Sequence, residues 1–346
     1  MPANVTIIGG GLAGLTLGIG LRRRDVPVII HEAGEYPRHR VCGEFISGSG
    51  QMVLERLGLI SHFQKAGAIY ARTVLFICGA VQSPVRRLAS PALCLSRYKM
   101  DALLAQHFQD LGGELCPNSR WTSSAFGDGI VLASGRRLQS PQKDPRWFGV
   151  KAHVVNDTPI NLDADLEMHL SRDGYVGVSK IDEGQVNVCG LFRPKQDARP
   201  ESKTEWLRGE ADSLLRQRLN PVRFEPNSFC SIAGIQLTPQ RASERPDCCI
   251  GDALTMTPPV TGNGMSMAFE SAEAAIEPLT SYSHGRMSWA EAQHEIARQC
   301  DALFSRRLAW ARLLQWMIVS PATQAGLKQF LLRSNWMWRL MFAQTR

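Results

Sequence analysis

A strand-like run, Val5 to Ile8, stops at Gly9, and a helical apolar pattern (Leu15, Leu17, Ile19, Leu21) begins a few residues later. This predicts a buried strand, a glycine turn and a helix. A second strand-like run, Val26 to Ile30, ends in His31-Glu32. Further on, apolar positions at helical spacing (Val53, Leu54, Leu57, Leu59, Ile60, Phe63) predict a helix over 51–66. Short strands are expected at 73–78 and 85–88, a helix from Arg97 to Leu111 stopped by Gly112-Gly113, and a strand from Ile130 to Ala133. After Pro141 and Pro145 the period shifts toward two. Residues 147–156 and 165–192 alternate, with turns at Asp173-Gly174 and Glu183-Gly184. A mainly antiparallel sheet is expected there, then a helix over 203–219 and a strand over 229–237. Cys248 to Ile250 returns to buried-strand character, and long helices follow from about Gly264. A parallel α/β unit interrupted by a sheet and then resumed fits this order better than two consecutive domains.

The glycines of the first turn give that unit a chemistry. Gly9 permits a tight turn, Gly11 lets the backbone approach a pyrophosphate, and Gly14 lets the helix pack close to the strand. Leu12 and Ala13 open the helix, whose N-terminus offers free N–H groups and a partial positive charge. Glu32, followed by Ala33, stands where a carboxylate accepts hydrogen bonds from ribose hydroxyls. Strand, turn, helix and acid agree on a bound dinucleotide.

Composition narrows the setting. The 346 residues are 44% hydrophobic, enough for one large α/β unit or two closely joined domains. The chain is expected to enter its first strand without a signal peptide, and no apolar run suits a spanning helix. Nine cysteines lack metal-ligand spacing, and no metal is expected; free thiols in a cytoplasmic setting are. The net charge of +7 is concentrated late. From Ala302 to Arg346 there is no Asp or Glu, while Arg306, Arg307, Arg312, Lys328, Arg333, Arg339 and Arg346 lie beside Trp310, Trp316, Trp336 and Trp338. Such helices either pack on the body with solvated arginines or touch an anionic membrane surface. Nothing resembles a nucleic-acid recognition module.

Residues 250–268, Ile-Gly-Asp-Ala-Leu-Thr-Met-Thr-Pro-Pro-Val-Thr-Gly-Asn-Gly-Met-Ser-Met-Ala, tie a strand-end Gly-Asp to a Pro-x-x-Gly-x-Gly turn. This resembles the second flavin motif of the p-hydroxybenzoate-hydroxylase-like superfamily, which includes aromatic hydroxylases, geranylgeranyl reductases and flavin-dependent halogenases. With the N-terminal turn, the resemblance spans nearly the whole chain. It implies an α/β Rossmann-like FAD-binding domain (1–75, 93–140 and 245–285), an inserted mostly antiparallel substrate sheet (76–92 and 145–244), and a C-terminal helical region (286–346). It also implies that Gly251 and Asp252 reach the ribityl chain, that Pro259 lies beside the isoalloxazine, and that Gly262, Asn263, Gly264 and Met265 face its pyrimidine edge. Arg97 matches a cofactor-contacting arginine, and Ser134-Gly135-Arg136 a strand end under the nucleotide.

Departures from the pattern choose among the members. The Asp-Gly motif that many hydroxylases carry near the middle is missing. The Tyr-x-Trp-x-Phe-Pro-like strand of the reductases survives only as Tyr175-Val-Gly-Val-Ser-Lys180. The Trp-x-Trp-x-Ile-Pro signature of halogenases is absent, which disfavours halogenation. Arg40-Val-Cys-Gly-Glu44 occupies the place of a Cys-Gly pair near the flavin, so Cys42 and Glu44 face the ring or the substrate, or else pack and pair with Arg38 or Arg40. Lys151 and His153 share one face of a strand; that face lines the pocket, where either side chain could assist proton transfer, or is a polar outer face, and the second reading is favoured. Tyr175 is expected in the pocket.

The resemblance implies a FAD-dependent oxidoreductase. The first expectation is a monooxygenase that takes electrons from NAD(P)H and uses molecular oxygen through a peroxyflavin. Its substrate would be a hydrophobic aromatic, polyketide-like or isoprenoid-like small molecule, of a kind found in secondary metabolism. A geranylgeranyl-reductase-like saturase is the second reading, and a non-catalytic, membrane-docked flavoprotein the third.

Overall fold

A computed structural model describes residues 2–123, 126–136, 147–157, 160–193, 204–235, 237, 239–319 and 332–344. In chain order its main elements are β1 (Val5–Ile8), α1 (Leu12–Arg22), β2 (Val28–His31), β3 (Phe45–Ile46), α2 (Ser49–Arg56), α3 (Ile60–Lys65), β4 (Ile69–Cys78), β5 (Val81–Gln82) and β6 (Arg86–Cys94). Then come α4 (Arg97–Asp110), β7 (Glu114–Cys116), β8 (Ile130–Leu132), β9 (Trp147–His153), β10 (Leu166–Leu170), β11 (Gly174–Lys180), β12 (Val186–Phe192), α5 (Glu205–Arg208), α6 (Leu214–Leu219), β13 (Cys230–Ile235), α7 (Gly264–Ser283), α8 (Trp289–Val319) and α9 (Asn335–Gln344).

A four-stranded parallel sheet, β7-β2-β1-β8, forms the first layer. Helix α1 is buried on nearly every side, from Leu12 to Leu21, because that sheet covers one face and α7 another. This explains its apolar content all round rather than along one stripe. The interruption read from the sequence is visible in the hydrogen bonds. After the whole antiparallel region, Leu132 N–H donates to Cys248 O at 2.8 Å and Ile250 N–H donates to Leu132 O at 2.9 Å, so the late chain rejoins the first sheet.

The second sheet runs β13-β9-β12-β11-β10-β4-β6-β3, with β5 hanging on β4. It is antiparallel except where β10 meets β4. The fold is therefore α/β with an inserted, mostly antiparallel sheet and C-terminal helices.

Two helices expected as single pieces are broken. Residues 51–66 divide into α2 and α3 at Gly58, whose φ of +57° is left-handed and ends the first segment. The helix expected over 203–219 divides into α5 and α6 around Gly209, with φ of +77°. Residue 203 and the Pro141–Pro145 segment lie outside the described residues. So do Lys328 and Arg346.

Candidate active site

Between the two sheets lies a continuous cavity of about 890 Å³, at the upper end of ordinary ligand sites. Its first half is built from the β1–α1 turn. At Gly9, φ is +110°, and a Cβ would sit 2.4 Å from Ala133 O. At Gly14 a Cβ would sit 2.0 Å from Gly9 O. Gly11 differs: a Cβ there meets nothing within 4 Å, because it would point into the cavity.

Glu32, at the end of β2, is 5% exposed. It accepts from Gly10 N–H at 2.8 Å and Gly34 N–H at 2.9 Å, and pairs with Arg38 at 2.7 Å. Burial alone would raise its carboxyl. The Arg38 hydrogen bond, the Gly34 N–H and the charges of Arg38 and Arg40 outweigh burial and hold it below the usual range.

Asp252 also lines the cavity, and its accessible surface faces that cavity. Burial pushes its carboxyl up to about 6, against the pull of Arg97 and Arg136. Arg97 grips Asp101 through two bonds of 2.7 and 2.8 Å.

The donor set fits a phosphate-bearing dinucleotide. Among the described residues, Arg40 Nε, Arg136 Nε and Trp121 Nε1 are buried without a hydrogen-bond partner, and all three residues line the cavity. The N-termini of α1 and α7 open on it, and neither carries an acidic residue in its first turn. Two helix ends and unpartnered guanidinium and indole donors form an anion-binding surface that this chain's own groups leave unsatisfied.

The other half of the cavity is one face of the large sheet. Strand registers align its residues in rows. One row reads His153, Asn187, Ser179, Leu166, Val74 and Arg86; the next reads Lys151, Cys189, Gly177, Met168 and Phe76. A third reads Gly149, Leu191, Tyr175, Leu170 and Cys78. Leu314 and Met317 of α8, Leu332, and Trp338 and Phe342 of α9 close over the apolar part. Trp338 packs on Phe76 with ring centroids 5.3 Å apart.

These rows correct one sequence expectation. Lys151 and His153 are not on a polar outer face. They lie on the inward face with Gly149, 0% and 1% exposed. The reason is Glu44, also 0% exposed, which brings a compensating charge: its Oε1 is 3.3 Å from Lys151 Nζ and its Oε2 is 2.6 Å from His153 Nε2. Arg97 N–H donates to Glu44 Oε1 at 2.8 Å. Lys151 Nζ also lies 3.0 Å from His39 Nδ1. Burial and the neighbouring Lys151 and His153 lower the His39 ring to about 4, which leaves it neutral at pH 7 and able to accept from Lys151. Glu44 therefore pairs with Lys151 and His153, while Arg38 and Arg40 pair with Glu32.

The residues singled out in the sequence converge. Gly9, Gly11, Leu12, Ala13, Glu32, Ala33, Arg40, Cys42, Glu44, Arg97, Gly135, Tyr175, Asp252, Pro259, Gly262, Gly264 and Met265 all line the one cavity. Gly14, Gly251 and Asn263 do not line it. Gly14 and Gly251 instead fix the backbone, at Gly9 O and against the Ala13 methyl. Cys42 is half-buried on the cavity wall, and burial pushes its thiol up despite Arg97 nearby. Tyr175 is 5% exposed with no partner for its hydroxyl among the described residues, and burial holds that phenol well above its ordinary range.

Arg38, Arg86 and Trp121 were missed. Arg38 and Trp121 sit in loops without periodicity. Arg86 breaks the apolar alternation of its strand and gave no signal of its own. Among the described residues, no group of three His, Cys, Asp or Glu side chains is placed to hold a metal, and no helix is long and apolar enough to cross a membrane. Of the C-terminal tryptophans, Trp338 packs on the sheet, whereas Trp316 and Trp336 are exposed.

No protein-family model matches the chain. It is 24% identical to squalene epoxidase erg1 of Aspergillus fumigatus over 318 aligned positions, covering 77% of this chain and 64% of that protein. It is 20% identical to conditioned medium factor receptor 1 of Dictyostelium discoideum, covering 79% and 62%. The chain thus spans less than two thirds of the length of these curated relatives. Among solved structures, flavin-dependent brominase Bmp2 superposes with a TM-score of 0.76 at 16% identity, covering 99% of this chain and 93% of that one. Pseudomonas aeruginosa PqsL, in complex with 2-aminobenzoylacetate, superposes with a TM-score of 0.72 at 15% identity, covering 94% and 99%. The myxobacterial chondrochloren halogenase CndH gives 0.75 at 16% identity, covering 99% and 90%. The fold is the one these flavin-dependent brominase, PqsL and halogenase structures share.

Proposed function

We propose that this chain is a FAD-dependent monooxygenase that takes electrons from NAD(P)H and acts on a hydrophobic small molecule. The observation that carries the reading is continuity. A dinucleotide-shaped half, with unpartnered donors and two helix N-termini, opens without a partition onto an apolar sheet face roofed by helices. Squalene epoxidase erg1 among the relatives supports an oxygen-inserting chemistry.

In this reading Glu32 holds the ribose, the N-terminus of α1 with Arg40 holds the pyrophosphate, and Asp252 holds the ribityl chain. Pro259 and the backbone from Gly262 to Met265 border the ring. When bound, FAD supplies the two-electron store and the site of oxygen activation. The roof of Leu314, Met317 and Trp338 excludes water from the reacting centre. The Tyr175 hydroxyl, protonated at neutral pH, donates to an oxygen of the substrate. Glu44, Lys151 and His153 fix the loop carrying Cys42. Asn187 Nδ2 and Ser179 Oγ fasten it further, donating to Cys42 O and Gly43 O at 3.0 Å each. No second glycine fingerprint is present, so NAD(P)H would bind transiently.

The test is aerobic turnover of FAD-loaded protein with NADPH or NADH and a panel of hydrophobic rings and polyenes under labelled oxygen gas. Label in the product supports the reading. A reduced product without label, formed equally well under argon, contradicts it and favours alkene reduction.

A further inference from the structure

Beyond the cofactor half, the inward face of the large sheet carries a charge at its far edge. Arg86, on β6, is 6% exposed, while its neighbour Val85 is 50% exposed. The chain entering the strand thus presents Val85 to solvent and Arg86 to the cavity, the reverse of what side-chain burial alone favours. Register places Arg86 opposite Val74 and Val74 opposite Leu166, and all three line the cavity.

Among the described residues the guanidinium meets only neutral groups. Its Nε donates to Asn335 Oδ1 at 3.2 Å, its Nη2 donates to Leu332 O at 2.5 Å, and it lies 5.5 Å from the centre of the Trp338 ring. Nη1 makes no hydrogen bond among the described residues. Lys151 is the other cation among the described residues that is this deeply buried, and it has Glu44. Arg86 has no carboxylate partner among the described residues, and burial alone lowers its pKa. A buried cation without a counter-ion at the end of a ligand cavity is an open anion site.

We propose that the cavity takes an amphiphilic carboxylate, with the carboxylate on Arg86 and the apolar body lying along Val74, Phe76, Leu166 and Met168 toward Tyr175. The β6 and β11 strands are three inter-strand steps apart, roughly 14 Å at ~4.8 Å per step. A substrate reacting near Tyr175 while anchored at Arg86 is therefore an elongated acid. This names a substrate class for the reading above and rests on it: FAD must fill the other half for the acid to meet it.

The experiment titrates FAD-loaded full-length protein with decanoate and with methyl decanoate, followed by calorimetry and by tryptophan emission, since Trp338 lies on Arg86. Flavin absorbance reports cofactor loading separately. The expected result is roughly tenfold tighter binding of the acid. In Arg86→Met that preference falls to about one, with ester affinity changed less than threefold. Arg86→Lys keeps part of the preference, and serves if the methionine variant does not fold. Equal affinities in the wild type, a preference that survives in Arg86→Met, or binding of neither probe would overturn the proposal. If FAD does not bind, the cofactor reading fails, yet the acid-over-ester preference is still read by tryptophan emission in the apoprotein.

Discussion

Glu44 and His153, 109 residues apart in the chain, meet at 2.6 Å through Oε2 and Nε2, both buried. Glu44 pays for this place with a left-handed backbone, φ of +58°, unusual for a residue with a side chain. The bond ties the loop after β2 to the end of β9 in the large sheet. It therefore fixes the seam on which both halves of the cavity depend.

Glu44→Gln keeps the shape and removes the charge, which leaves Lys151 buried without its carboxylate. A loss of about 3–5 kcal/mol is expected in urea unfolding. Adding Lys151→Met should recover part of it, because the double variant leaves no uncompensated cation. Additive losses in the double variant would contradict the pairing.

Gly11 and Gly14 separate ligand space from fold. Gly14→Ala puts a methyl 2.0 Å from Gly9 O and is expected to destabilise the chain severely. Gly11→Ala meets no protein atom within 4 Å. It should leave thermal unfolding of the apoprotein within about 0.5 kcal/mol of wild type while weakening FAD binding at least tenfold. Equal FAD affinity in Gly11→Ala would move the pyrophosphate elsewhere.

Asp252 predicts a pH effect. Its folded carboxyl titrates at about 6 against an ordinary 3.8, so between these values the folded state holds more proton than the unfolded state. Its contribution thus makes apoprotein stability fall as pH rises from about 4 to about 6. Asp252→Asn removes that component, and the difference between variant and wild type should grow across this window and be flat above it. A constant difference would contradict the raised titration.

Tyr175→Phe removes a buried hydroxyl that has no partner among the described residues. Stability should be unchanged or higher by up to about 1–2 kcal/mol, measured by urea unfolding. A clear loss would mean that the hydroxyl serves the fold rather than a ligand.

The parallel unit was legible because its signals are local: a strand, a glycine turn and an acid at the end of β2. The placement of the Gly251 to Met265 turn beside the cavity was legible for the same reason, since it is one continuous segment. Partners set by sheet register were not. Nothing near Lys151 in sequence announces Glu44, so its alternation with His153 read as solvent-facing. Arg86 was hidden similarly, because only pairing with β4 shows that it, and not Val85, turns inward. Gly58 and Gly209 ended helices whose apolar spacing continued past them.

In the proposed function the cavity holds FAD against the β1–α1 turn. The most direct measurement is titration of the full-length apoprotein with FAD, followed by calorimetry and quenching of flavin emission. One FAD per chain is expected, with binding weakened at least tenfold in Gly11→Ala and also weakened in Glu32→Gln. No binding, or binding indifferent to both substitutions, would contradict it.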